Sequence, residues 1–93
     1  MREAIIKACR AMKATATYAA FWQTHQHCEC CGNWSAAPHH IRSRGAGGDD
    51  SPLNLLALCM AHHTEAHQFG TVEFALRYPR VASKIEAALE REK

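Results

Sequence analysis

Two short cysteine–histidine pairs constrain how this chain can fold. Cys28-x-x-Cys31 is followed, after 27 intervening residues, by Cys59-x-x-His62. Three thiolates and one imidazole at that spacing make the tetrahedral donor set of a closed, structural zinc site, so both ends of the segment must return to one point. Gly32, directly after Cys31, suits the tight turn of a zinc knuckle. Cys30 can stand in for Cys28 or Cys31, but the two-residue gap favours the outer pair, and Cys9 and Cys30 are expected to be free. Such a clip matters at 93 residues, near the size where a core alone gives marginal stability. Hydrophobic residues make up 47%, but much of that is alanine, which buries little area. The cysteine count, five, is odd, and neither a secretory-type apolar stretch nor a membrane-length run is visible. A cytoplasmic, reducing setting is expected, where cysteines hold metal more often than they form disulfides.

The coarse pattern is a single small α+β domain over 1–93. Residues 1–24 hold a Pro- and Gly-free, Ala-rich helix from Glu3 to about Trp22, with Ile5, Cys9, Met12, Ala16 and Ala19 or Ala20 as its apolar stripe. Residues 25–70 hold the knuckle, a short strand within Ala36–Ile41, a loop through Gly45, Gly47 and Gly48, an extended Asn54–Leu58, and a helix from Cys59 or Met60 to a stop at Gly70. Asp49 and Asp50, ahead of Ser51-Pro52, read as turn formers. Residues 71–93 hold two helices, the first capped by Thr71 and the second opened by Pro79, with Val81, Ile85, Ala88 and Leu89 on one face.

Five of the seven histidines fall between Pro38 and Gly70. His63 and His67 are four apart, so on a helix they share a face and can grip one ion, while His62 points elsewhere. Alternation along a strand separates His39 from His40 in the same way. One of that pair can bind the ion while its neighbour remains available for proton transfer. An all-imidazole set suits Mn²⁺, Ni²⁺, Co²⁺ or Zn²⁺ better than Mg²⁺, though Mg²⁺ is abundant. Charge adds a modest polyanion footprint: residues 1–48 carry six Lys/Arg (Arg2, Lys7, Arg10, Lys13, Arg42, Arg44) against two Glu, and residues 49–93 carry five against seven Asp/Glu.

The order HH, N, H-x-x-x-H in HHIRSRGAGGDDSPLNLLALCMAHHTEAHQFG, with an interleaved knuckle, resembles the HNH endonucleases of the ββα-metal fold. The resemblance runs from Cys28 to about Gly70. It is similar in spacing to the colicin-type DNases and in wording to phage and prophage members, including Ref-type recombination nucleases. It implies a ββα-metal core with a zinc knuckle, His39, His63 and His67 as ligands of a catalytic ion, His40 as general base, and Asn54 as a brace of the loop between the strands. His62 stands where a Cys is common in the knuckle, and the chain ahead of Cys28 has no counterpart.

The implied activity is metal-dependent hydrolysis of DNA phosphodiesters. Imidazole, with an ordinary pKa of about 6.5, suits deprotonation of water. Arg42, Arg44 and the amides around Gly45–Gly48 are candidates for phosphate contacts, and the ring of the base is expected to be oriented by a backbone carbonyl near Asn54. His25 and His27 are expected to be exposed, and Glu65 to point away from the catalytic ion. The rival is a zinc-knuckle module that binds DNA or a protein, in a phage or recombination complex, and cuts nothing. It leaves His39, His40, His63 and His67 without a role.

Overall fold

The apolar run Leu55–Leu58 is the divide about which the chain is arranged. The computed structural model describes residues 2–12 and 15–91, with the side chains of Met12 and Arg44 left out. Lys13 and the Arg44 side chain, both read as basic surface, therefore lie outside the described residues. Elements follow in the order α1 (Arg2–Met12), α2 (Ala16–Thr24), β1 (His39–His40), β2 (Leu55–Leu56), α3 (Met60–Phe69), α4 (Thr71–Arg77) and α5 (Pro79–Glu90). Single 3-10 turns occupy Arg44–Ala46 and Pro52–Asn54.

β1 and β2 pair antiparallel, with His39 opposite Leu56 and His40 opposite Leu55. The pairing extends on either side through Ile41 N–H to the Asn54 carbonyl and Ala36 N–H to the Leu58 carbonyl, both 2.8 Å. Because strand side chains alternate, the run around β2 feeds two cores. Leu56 and Leu58 enter one with Ile41, Cys28, Cys59, Ala66, Phe74, Val81, Ile85 and Ala88. Leu55 and Ala57 enter the other with Ile5, Cys9, Tyr18, Phe21 and Trp22. A strand buried on both faces reads as a continuous apolar segment rather than an alternating one. Each fully buried leucine contributes roughly 1.5–3 kcal/mol.

The single N-terminal helix expected from the alanine content is instead two. Thr15 is extended (φ −67°, ψ 160°), and its Oγ1 accepts the Tyr18 amide at 3.1 Å, which starts α2 afresh. Of the expected stripe, Ile5 and Cys9 are buried and Ala19 packs partly buried against the same core, while the Met12 side chain lies outside the described residues. In α2, Ala16 and Ala20 are exposed, and Tyr18, Phe21 and Trp22 turn inward. The aromatic rings bury far more area than the alanines, so they set the helix phase.

At the other end, α3 stops at Gly70 (φ 83°), which also caps α4. Thr71 is thus the first helical residue rather than the cap, and its hydroxyl donates to the Ile41 carbonyl at 3.2 Å. Pro79 opens α5, whose Val81, Ile85 and Ala88 are buried. No helix among the described residues is long and apolar enough to cross a membrane. Among the described residues the outcome is a small α+β fold with five helices and a two-stranded sheet.

Candidate functional site

Two clusters of potential metal ligands start on adjacent residues of α3. In the first, ligand atoms of Cys28, Cys31, Cys59 and His62 all lie within 4.8 Å of one another. Cys59 Sγ is 3.2 Å from His62 Nδ1, Cys28 Sγ is 3.6 Å from the same nitrogen, and Cys31 Sγ is 3.7 Å from Cys59 Sγ. Thiolates about 2.3 Å from a tetrahedral zinc are about 3.8 Å apart, so the donors fit. The cluster can hold a metal ion such as zinc.

Local structure explains the convergence. Cys28 and Cys31 flank a turn in which the Gly32 amide donates to the Cys28 carbonyl at 2.9 Å, and Gly32 takes the left-handed φ of 81° that favours glycine. A bridge between His27 and Trp34 closes this turn. Burial opposes ionisation of the Cys28 thiol, but backbone hydrogen bonds at Cys59, Cys30 and Cys31 outweigh it and bring the thiol down to about 7. Cys30 is outside the ligand set and is pushed up to about 12, chiefly by burial, which keeps it a thiol. Cys9 is buried in the N-terminal core, where burial raises its pKa.

The far side of His62 faces a carboxylate. Its Nε2 is 4.0 Å from Glu65 Oε2, which accepts the Tyr78 hydroxyl at 2.6 Å. At 4.0 Å the carboxylate is an electrostatic neighbour of the ring rather than its hydrogen-bond acceptor. Glu65 thus faces the cysteine cluster rather than the second set of histidines.

That second cluster comprises His39, His63 and His67, again with ligand atoms within 4.8 Å of one another. His63 Nε2 and His67 Nε2 are 3.0 Å apart, about the separation of neighbouring positions around an octahedral ion with 2.1 Å bonds. His39 is only 8% exposed. Burial, and then the neighbouring His63, His67 and His40, lower its pKa to about 4. Burial and His67 lower that of His63. These two rings are held neutral, the form that coordinates metal.

His40 lies beside this cluster, and an open cleft of about 410 Å³ is bordered by His39, His40, His63 and His67 together with Tyr18 and Ser43. Strand alternation therefore does not exclude either histidine of the pair from this cleft. The His40 ring meets a carboxylate rather than the expected carbonyl: its Nε2 is 2.7 Å from Asp50 Oδ1. Only one of the two expected turn formers acts as one. Asp49 Oδ1 accepts the Ser51 amide at 3.1 Å, whereas Asp50 turns inward to His40 and Thr15.

Asn54, 1% exposed, braces the interstrand loop. Its Oδ1 accepts the Arg42 amide at 2.9 Å, and its Nδ2 donates to the carbonyls of Arg42 (3.0 Å) and Asp49 (2.8 Å). It does not border the cleft, so it acts through the loop. Arg42 donates from Nη1 to the Ala46 carbonyl at 3.3 Å and borders an adjoining cleft of about 420 Å³ that shares His39, His40, Ser43 and His67. His25 and His27 are exposed, stacked on Phe21 and Trp34 respectively. Sequence reasoning missed Thr15, Tyr18 and Asp50 around His40, and no local spacing signals them.

No protein-family model matches the chain, and no solved structure does. Among curated proteins it is 40% identical over 60 residues to the uncharacterized protein YdfU of Escherichia coli (strain K12). The match covers 61% of this chain, and the chain spans 17% of that protein's length.

Proposed function

We propose that this chain is a metal-dependent endonuclease that hydrolyses DNA phosphodiester bonds, built on an HNH, or ββα-metal, core with a structural zinc knuckle. The observation that carries the reading is the meeting of His39, His63 and His67 within 4.8 Å, with a fourth histidine, His40, on the same cleft. A binding module held by the cysteine cluster has no use for that second set.

A divalent ion held by His39, His63 and His67 would stabilise charge on the phosphate and on the departing 3′ oxygen. His40 takes the proton of the attacking water as the water oxygen bonds to phosphorus and the P–O3′ bond breaks. Asn54 fixes the loop that carries Arg42, and Arg42, with Arg44, contacts flanking phosphates; of the amides expected to join them, those of Ala46 and Gly48 already donate to the Ser43 carbonyl at 3.0 and 2.8 Å. Few base-reading groups are on offer, so binding is sequence-tolerant and weakens with salt.

The test is supercoiled-plasmid cleavage by wild type and His40→Ala, in Mn²⁺ and in EDTA. Nicking in Mn²⁺ alone, lost in the variant while zinc stays near one per chain, supports the enzyme. A well-folded wild type with no cleavage in any divalent ion refutes it and favours the binding module.

A further inference from the structure

We propose that Asp50, held in place by Thr15, is the positioning residue for His40, and that this contact, with the stacking of Tyr18, is what the start of α2 contributes to the site. The inference rests on the reading of His40 as the base. Asp50 Oδ1 lies 2.7 Å from His40 Nε2, and Asp50 Oδ2 accepts the Thr15 hydroxyl at 2.7 Å. The Asp50 side chain is 11% exposed, against 64% for Asp49 in the same turn. A carboxylate withdrawn from water to that extent needs donors on both oxygens.

Proton positions follow from the donor inventory. The Thr15 hydroxyl accepts the Tyr18 amide at 3.1 Å, so its one hydrogen is available for Asp50. An ionised carboxylate only accepts. His40 must therefore carry its proton on Nε2, which leaves Nδ1 as the basic nitrogen. Tyr18 limits ring rotation: its ring stacks on His40 at 5.6 Å between centroids and 17° between planes, and its hydroxyl donates to the Pro38 carbonyl at 3.3 Å. When Nδ1 takes a proton from water, the resulting imidazolium faces the Asp50 carboxylate. The same logic makes the aspartate of a Ser-His-Asp triad a fixer of tautomer and a partner of the imidazolium.

The test combines nitrogen NMR of the imidazole rings in ¹⁵N-labelled protein loaded with zinc and Mg²⁺, both diamagnetic, at about pH 8 and so above the ordinary imidazole range, with plasmid nicking. In wild type, His40 is expected as the Nε2–H tautomer. Asp50→Asn should redistribute the tautomers and slow nicking roughly 10–100-fold, with KM for plasmid and zinc content little changed. Thr15→Val, which leaves the carboxylate in place, should move both readouts in the same direction by a smaller factor and serves if Asp50→Asn does not fold. An unchanged His40 tautomer in the folded variants overturns the assignment, whatever the activity. Failure of wild type to nick, with the tautomer still responding to Asp50→Asn, refutes the nuclease reading and leaves the positioning role standing.

Discussion

Acid should unfold this protein through His39, and the size of the effect can be worked out. In the unfolded chain the imidazole titrates near 6.5, whereas in the fold burial and three neighbouring histidines lower it to about 4. Between those values the unfolded chain binds the proton and the folded chain does not, so stability falls as pH falls. The penalty is absent above about pH 6.5, grows towards pH 4 and is complete below it, a total of about 3 kcal/mol. From pH 7 to pH 5 the loss is about 2 kcal/mol, a large part of the stability of a domain this size. The control is His39→Leu, which fills the site with a group that cannot titrate. Urea unfolding of both proteins, with one equivalent of zinc and no ion in excess, gives the difference, and the knuckle's own pH dependence cancels. Wild type should lose about 2 kcal/mol more than His39→Leu over that interval. Parallel pH dependences, within about 0.5 kcal/mol, would refute the view that His39 is held neutral by burial.

Asn54→Ala removes three hydrogen bonds from a buried amide and should cost about 2–3 kcal/mol, with the Arg42 amide losing protection in hydrogen exchange. Gly48→Ala should disrupt the same loop, because a Cβ there would overlap the Arg42 carbonyl and crowd Asn54 Nδ2; a lowered melting temperature checks it. Cys59→Ser should lower zinc content well below one per chain by metal analysis, whereas Cys30→Ser should leave it unchanged.

The parts of the site that the sequence disclosed are those whose geometry is local. A four-residue step on a helix put His63 beside His67, and two-residue gaps selected Cys28, Cys31, Cys59 and His62 over Cys30. Gly70 and Pro79 marked helix boundaries because glycine alone reaches a positive φ without strain, and proline fixes φ and lacks an amide hydrogen, wherever they occur. The break at Thr15 was hidden because alanine on both sides favours continuing the helix, and what ends it includes a carboxylate 35 residues away. Asp50 was hidden for the same reason: Asp-Asp-Ser-Pro is turn chemistry, and only tertiary structure tells its second acid from its first. The inward turn of Tyr18, Phe21 and Trp22 depends on the far face of the β2 segment, which no helical period can encode.

Helix α3 carries His62 for one cluster and His63 and His67 for the other, yet buries only Ala66. Ten residues with so little grease have scant reason of their own to lie where they do. Their placement is tethered at the Cys59 end by the sulfur cluster and at the Gly70 end by the start of α4. A chelator strong enough to strip the cysteine cluster should then disturb the placement of His63 and His67 without drawing an ion from either, so sensitivity to chelation would not by itself reveal which of the two sites had been emptied.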